Sequence, residues 1–219
     1  VMVHAENHGI ISWLAGRMVK QGNVLPRYHA ICHTRSSEAE AIQRVIALAE
    51  LVDCPILVVH VSTPEGIEQI RQARARGVKV FGETCPQYLF LTAKDIDIGL
   101  QGAMFCCSPP PRDEAAQQAC WQGLKDGALH VYSSDHAPYK MDASGKLPMG
   151  DKTTFKEMAN GVPGLELRLT LLFSFGYKTG RLTLQEFVSL TATRHAQTYG
   201  LYPQKGTIAV GSDADLAIW

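Results

Sequence analysis

The sequence lacks an excess of charge of either sign, because 21 basic residues are balanced by 21 acidic residues. A balanced chain has no general electrostatic reason to bind nucleic acid or an anionic membrane surface. It also lacks any apolar run near the roughly 20 residues that a membrane-spanning helix needs, and it shows no signal-peptide pattern. With 46% hydrophobic residues, the composition predicts a soluble globular protein with neither nucleic acid nor a membrane as partner.

Paired cysteine motifs are also missing. The six cysteines are irregularly spaced and include no C-x-x-C pair, which excludes a cysteine-rich zinc ribbon and makes a disulfide scaffold a poor fit at this length. We therefore expect reduced thiols and a cytoplasmic protein. No Gly-x-Gly-x-x-Gly turn follows a strand-like run, so the main reason to expect a dinucleotide-binding fold is absent.

What is present is an alternation of buried strands and amphipathic helices, which is typical of a parallel sheet covered by helices. The strand-like segments are VMV at the start, PILVV, VKVFGETC and ALHVY. Helices are predicted over residues 10–20, 38–52, 64–77, 114–125, 164–175, 183–190 and 191–199. An open doubly wound sheet and a (β/α) barrel both fit this order.

Local signals predict further details. Ser37 with Glu40 three residues later forms a capping-box pattern, and Thr63-Pro64 provides an N-cap and a first helical residue. Loops are predicted around Arg27, His29 and His33 and, as a polar surface segment, over residues 141–152. Two short strand-like runs are expected in the tail. The chain begins and ends within strand-like segments, so we expect a fragment of a longer protein.

Three strand-like runs lead to side chains that bind metals. His4 follows the first run, His60 follows PILVV, and Asp135 follows ALHVYSS. The carboxyl ends of parallel strands meet at one edge, where functional groups of such folds lie. Imidazole and carboxylate together suit zinc and similar divalent ions. One strand-end histidine is more often structural, but three such residues at equivalent positions predict a metal site.

The same residues carry a resemblance to a family. VMVHAEN, PILVVHVS, GETCPQYL, CSPPPRD, SSDHAPY, NGVPGLE and KGTIAVGSDADLAIW resemble, in order, the signature segments of the dihydropyrimidinase (hydantoinase) family of cyclic amidohydrolases. The resemblance implies an α/β fold: the back half, strands 5–8, of a metal-dependent (β/α)₈ TIM barrel, followed by the start of a C-terminal β-sandwich. Residues 1–200 would belong to the barrel and residues 201–219 to the small β domain.

The resemblance also implies a metal centre. Family members hold two divalent ions, usually zinc, bridged by a carboxylated lysine. Position by position, His4 and His60 become metal ligands, Asp135 becomes a metal ligand and the catalytic proton carrier, and Ser108 and Asn160 bind the substrate. The family's His-x-His pair and modified lysine are absent from this chain, so we expect the 219-residue chain alone to be inactive.

The implied reaction is hydrolysis of a cyclic amide, a dihydropyrimidine or a 5-substituted hydantoin, to the N-carbamoyl amino acid by metal-activated hydroxide. Allantoinase and dihydroorotase are alternatives within this chemistry, although GETCPQYL and NGVPGLE favour the dihydropyrimidinase side. A non-catalytic, dihydropyrimidinase-like assembly protein is an alternative of a different class. The family also implies a homotetramer.

Other polar residues are weighed against structural roles. His136, next to Asp135, could orient an intermediate or hydrogen-bond a loop, and the structural role is favoured. His29 and His33 are expected to be solvated or locally hydrogen-bonded rather than metal ligands. Cys85 and Cys107 lie near strand ends, but no sequence pattern provides the base that a cysteine nucleophile needs. The sequence leaves open whether Glu83 and Arg112 line the mouth of the barrel or form buried ion pairs.

Overall fold

A parallel four-stranded sheet forms the centre of the computed structural model, which describes residues 1–218. The strands are β1 (Met2–Val3), β2 (Ile56–Val58), β3 (Val80–Thr84) and β4 (Leu129–Tyr132), in the order β1-β2-β3-β4. All neighbours pair in parallel, with Leu57 opposite both Met2 and Phe81. Each strand lies beside the next in the chain, as in a segment of a (β/α) barrel, so the predicted α/β class is confirmed.

Helices connect the strands and follow the last one. The α-helices are α1 (His8–Lys20), α2 (Arg27–Cys32), α3 (Arg35–Leu51), α4 (Pro64–Ala75), α5 (Pro86–Phe90), α6 (Ala93–Ile96), α7 (Glu114–Asp126), α8 (Arg168–Leu172), α9 (Leu184–Val188) and α10 (Arg194–Thr198). Short 3₁₀ segments span Gly99–Phe105 and Gly150–Lys152, and π turns span Phe173–Tyr177 and Ser189–Thr193. Within residues 1–218, no helix is both long enough and apolar enough to span a bilayer.

Two apolar clusters hold these elements together. The larger cluster packs α3, α4 and α7 against the sheet, and its fully buried side chains include Ile42, Ile70 and Leu129. The smaller cluster lies under α1 and α2 and includes Cys106 and Phe155. The continuous apolar run of β2 is buried along its whole length, as expected for a parallel strand covered on both faces.

The start of α4 confirms one predicted signal and the start of α3 corrects another. Thr63 caps α4 by accepting a hydrogen bond from the Gly66 amide, with Pro64 as the first helical residue. The predicted Ser37–Glu40 capping box is wrong: α3 begins earlier, and the Thr34 hydroxyl accepts the hydrogen bond from the Ser37 amide. Ser37 is instead buried inside the helix.

Two segments that were predicted as solvated loops contain buried polar side chains, and one of these segments forms a helix. Arg27 begins helix α2, and His29 on that helix is buried. Residues 141–152 contain Lys146, whose side chain is buried rather than solvated. In both cases a polar side chain finds hydrogen-bond partners that are distant in sequence, which a local pattern does not reveal.

The tail differs from its predicted local structure. Residues 201–218 contain turns and irregular backbone and no strand, so the two short strand-like runs do not form strands there. A strand needs a partner for its amide and carbonyl groups, and none of the described residues provides one. The assignment of residues 201–219 to a separate β domain stays a prediction, and Trp219 lies outside the described residues.

Candidate metal centre

The carboxyl ends of the strands bring the predicted ligands to one edge of the sheet. His4 directly follows β1, His60 lies two residues after β2, and Asp135 lies three residues after β4. The backbones of His60 and Asp135 are left-handed, with φ of 43° and 45°. Non-glycine residues seldom adopt this conformation, and such residues concentrate at functional sites.

The two imidazoles are in direct contact. His4 Nδ1 lies 2.9 Å from His60 Nε2, and the rings meet edge to face with centroids 4.7 Å apart. His4 Nε2 lies 3.4 Å from Oε2 of Glu6. The tautomer of His4 with its proton on Nε2 directs that proton at this carboxylate, and in this tautomer Nδ1 accepts the Nε2–H of His60.

Electrostatics distinguish the two rings and connect both to Asp135. The Glu6 carboxylate raises the pKa of His4 despite partial burial. Burial, and then the neighbouring His4, lower the pKa of His60. The negative charge of Asp135 adds to the raised pKa of His4 and partly opposes the lowered pKa of His60. The Asp135 carboxylate is therefore within electrostatic reach of both rings.

Glu6 is a buried carboxylate held by two histidines. Burial opposes its ionisation, but hydrogen bonds from His33 and His4 outweigh this effect and lower its pKa to about 2. Both of its oxygens lie 3.0 Å from His33 Nδ1. Glu6 therefore orients the outer nitrogen of His4, as carboxylates do for metal-binding histidines.

A buried ion pair supports the loop that carries His60. Arg112 Nη2 donates to Glu38 at 2.9 Å, and Arg112 Nε donates to the Ser62 hydroxyl at 3.0 Å. Glu38 also accepts the backbone N–H of Ser62 at 2.8 Å, and Arg112 donates to the carbonyl of His33. For Arg112, the open choice between the mouth and a buried ion pair is resolved in favour of the ion pair.

Glu83 lies on β3 between the two ligand-bearing strands. Burial raises its pKa, while hydrogen bonds from the Ser133 side chain and the backbone N–H of His60 act in the opposite direction. Glu83 makes no ion pair within residues 1–218. Glu83 is therefore a buried carboxylate on the strand between those that lead to His60 and Asp135, and the buried ion pair that the sequence left open does not form among the described residues.

The donor atoms suit a divalent ion, although the chain does not hold a complete ligand set. Two ligands on tetrahedral zinc lie about 3.3 Å apart, given Zn–N distances of roughly 2.0–2.1 Å, and the facing nitrogens of His4 and His60 are close to that separation. Across residues 1–218, no group of three or more His, Cys, Asp or Glu side chains has metal-binding geometry. The fit is therefore to part of a metal centre.

The predicted substrate positions lie on two segments that touch each other. The Gly161 amide, next to Asn160, donates to the Cys106 carbonyl at 3.0 Å, two residues before Ser108. Buried His29 donates from Nε2 to the Cys107 carbonyl at 2.8 Å, and the Ser108 hydroxyl lies 3.4 Å from the same nitrogen. Neither Ser108 nor Asn160 contacts the imidazole pair through a hydrogen bond among the described residues, so their substrate roles stay predictions.

His136 has the structural role that its position predicts. Its Nδ1 accepts the backbone N–H groups of Gly164 and Leu165, each at 3.1 Å. These bonds tie the loop after Asp135 to the segment that follows Asn160.

The alternative of a cysteine nucleophile gains no support. Cys85 and Cys107 are both fully buried, and burial raises the pKa of each thiol well above its usual range. Such thiols stay protonated and unreactive near neutral pH.

Sequence reasoning missed two supporting carboxylates, Glu6 and Glu38. Glu38 lies on the same face of α3 as the buried Ile42, and a charged residue on an apolar stripe is a detectable sign of a buried ion pair. Glu6 gave no such sign, because its partner His33 lies 27 residues away and no periodicity connects the two.

Comparisons with known proteins place these features in a family. A profile described as "Amidohydrolase family" matches residues 29–219. The D-hydantoinase of Rhizobium radiobacter is 41% identical over 220 residues, which cover 100% of this chain and 47% of that protein. A solved dihydropyrimidinase from Brevibacillus agri NCHU1002 is 42% identical with a TM-score of 0.93, over 98% of this chain and 46% of that one. A solved L-hydantoinase (dihydropyrimidinase) from Arthrobacter aurescens is 34% identical with a TM-score of 0.87, over 97% of this chain and 46% of that one.

The chain thus spans about half the length of the proteins that it matches. The backbones agree over nearly the whole chain, with 98% of it covered at a TM-score of 0.93. The fold expected from the sequence, part of a hydantoinase-like barrel, is confirmed.

Proposed function

The chain belongs to the amidohydrolase family, and on that premise we propose that the complete protein is a metal-dependent hydrolase of cyclic amides. Its substrate would be a dihydropyrimidine or a 5-substituted hydantoin ring, opened to the N-carbamoyl amino acid. The observation that carries this proposal is the contact between His4 Nδ1 and His60 Nε2 at the strand edge, in a chain about 41% identical to a D-hydantoinase.

Metal dependence follows from the family, whose hydantoinases require metal ions. We propose His4, His60 and Asp135 as this chain's ligands in a centre of two divalent ions, with zinc favoured by the nitrogen and oxygen donors. A carboxylated lysine bridging the ions would come from outside this chain. When bound, such ions polarise a carbonyl and lower the pKa of water to about 7.

The chain's own residues would then position the ring and move a proton. The Asp135 carboxylate would take a proton from the attacking water and deliver it to the departing ring nitrogen. Backbone groups at Ser108 and Asn160 would bind the amide edge of the ring. Glu6 would hold the outer nitrogen of His4, so that His4 presents Nδ1 to the site.

Two further properties belong to the same proposal. All six cysteines are free thiols, which supports a reducing, cytoplasmic location. A homotetramer is what the family resemblance implies.

The proposal is tested on the full-length protein by measuring bound metal and turnover of hydantoin and dihydrouracil. His60→Ala removes one of the facing nitrogens, and we expect it to lose metal and at least about a hundredfold in kcat/KM. His8→Ala is the matched control, because His8 is exposed and, within residues 1–218, the only hydrogen bond of its ring is to the Ser12 hydroxyl; we expect it to retain both metal and turnover.

Two other results would overturn or change the proposed function. A full-length protein that retains no metal and opens neither ring would end the enzymatic proposal and favour a non-catalytic relative. Turnover of allantoin or dihydroorotate in place of both rings would keep the chemistry but change the substrate.

A further inference from the structure

Lys146 is a buried lysine in a segment whose sequence reads as surface loop. The loop folds back on itself, with the Lys146 amide donating to the Lys140 carbonyl at 2.8 Å. Gly145 makes this close return possible, because a Cβ there would lie 2.4 Å from the Lys140 carbonyl oxygen. The turn directs the Lys146 side chain inward, where only 2% of the residue is exposed.

The ammonium group binds backbone carbonyls rather than a carboxylate. Lys146 Nζ donates to the Cys106 carbonyl at 2.8 Å and to the Gly161 carbonyl at 2.6 Å. It also lies 5.6 Å from the centre of the Tyr139 ring, and it makes no ion pair within residues 1–218. Burial lowers the pKa of Lys146, so its charge is retained at a cost that a solvated lysine would not have.

These two carbonyls belong to the segments that carry the proposed substrate positions. Cys106 lies two residues before Ser108, and Gly161 directly follows Asn160. The Cys106 carbonyl also accepts the Gly161 amide at 3.0 Å, so the ammonium strengthens a contact that the backbone already makes.

The same connection extends toward the candidate metal centre. The Ala137 amide donates to the Val162 carbonyl at 3.1 Å, and His136 bonds the amides of Gly164 and Leu165. The segment after Asn160 is thus attached on one side to the loop of Asp135 and on the other to the segment of Ser108.

We propose that Lys146 is a positioning residue that fixes the backbone at Ser108 and Asn160 relative to each other, so that both segments meet the amide edge of one substrate ring. A point charge with several N–H donors suits this task, because charge-assisted hydrogen bonds are roughly twice as strong as neutral ones. This inference rests on the proposed cyclic-amide hydrolase function.

The test compares Lys146→Met with Lys156→Met in the full-length protein. Lys156 is an exposed lysine nearby in the same sequence region, so it controls for the loss of one charge. For Lys146→Met we expect KM for hydantoin or dihydrouracil to rise at least about tenfold, with a smaller change in kcat and unchanged metal content. Lys156→Met should match the wild type.

Amide hydrogen exchange gives a readout that needs no activity. In Lys146→Met, the Gly161 amide and the peptide covering residues 103–108 should exchange at least about tenfold faster, while β2 and β3 keep their protection. If Lys146→Met does not fold, Lys146→Gln replaces it, since a neutral donor can still reach one carbonyl and an intermediate effect is expected.

The outcomes separate this inference from the proposed function. If the wild type opens no ring, the function fails and hydrogen exchange alone decides whether Lys146 orders the two segments. Unchanged exchange in a folded Lys146→Met variant overturns the inference. So does faster exchange with an unchanged KM, because the ordering would then not serve the substrate.

Discussion

His60 and Asp135 show how single residues give this edge of the sheet its chemistry. Both backbones leave the extended conformation for left-handed geometry just after their strands. For residues other than glycine this conformation costs on the order of 1–3 kcal/mol, which the surrounding structure must offset. For His60 the offset includes hydrogen bonds of the two residues that follow it: the Val61 amide donates to the Glu83 carbonyl at 2.7 Å, and Ser62 donates to Glu38.

The buried side chain of His29 makes the free energy of unfolding depend on pH. Burial, and then the positive charges of His33 and Lys146, lower the pKa of His29 to about 3 from an ordinary value of 6.5, despite opposing effects of Glu6 and the Cys107 carbonyl. Between these values the unfolded chain binds a proton that the folded chain does not. The free energy of unfolding therefore falls as the pH falls below 6.5.

We expect this residue alone to lower the free energy of unfolding by about 2 kcal/mol between pH 7 and pH 5. Urea denaturation of the full-length protein at both pH values measures the change. His29→Gln provides the comparison, because glutamine has a donor for the Cys107 carbonyl and does not titrate. Its stability should fall less over the same interval, and parallel losses in the two proteins would contradict the assignment.

The sequence could reveal a site residue only where neighbouring residues in the chain marked its position. His4, His60 and Asp135 each follow an apolar run, so the local pattern placed them at strand ends and at one edge. Lys146 could not be recognised, because its polar neighbours match a solvated loop and its two carbonyl partners lie 40 and 15 residues away.

Helices α3 and α4 both pack against the sheet. They differ in how clearly the sequence marks the residue at which each helix begins. Thr63-Pro64 marks the start of α4 with two agreeing signals. At α3, three hydroxyl residues in four positions, Thr34, Ser36 and Ser37, compete as caps. The structure selects Thr34, which lets Ser37 lie buried and donate to the Thr34 carbonyl. Helix α2 gave too few apolar repeats for its six residues to be predicted.

The choice of cap at α3 is testable in the full-length protein. Thr34→Ala removes the acceptor for the Ser37 amide, and we expect the free energy of unfolding to fall by about 1 kcal/mol. Thr34→Ser keeps the hydroxyl and should stay within about 0.5 kcal/mol of the wild type. Denaturant titrations of both variants measure the difference, and equal losses would show that the hydroxyl is not the stabilising group.

At the scale of the whole molecule, the sheet has a face covered by helices and an edge strand with only one strand neighbour among residues 1–218. The larger cluster buries α3, α4 and α7 against the strands. Within residues 1–218, β1 is an edge strand, and Met2 is 58% exposed. The relatives are about twice as long as this chain. The alternation of strands and helices was enough to predict the α/β class, but this order alone could not distinguish an open sheet from a barrel, and only the family resemblance did so.

The 219-residue chain on its own holds only part of the proposed ligand set. We expect it to show no turnover of hydantoin or dihydrouracil, even with added zinc, because its described residues contain no group of three donors in metal-binding geometry. Two imidazoles and a nearby carboxylate hold an ion far more weakly than a complete, closed ligand set. The measurement is turnover and retained zinc after desalting, with the full-length protein assayed in parallel. Turnover by the isolated chain would mean that His4, His60 and Asp135 suffice for catalysis, and that the additional ligands proposed from outside this chain are not required.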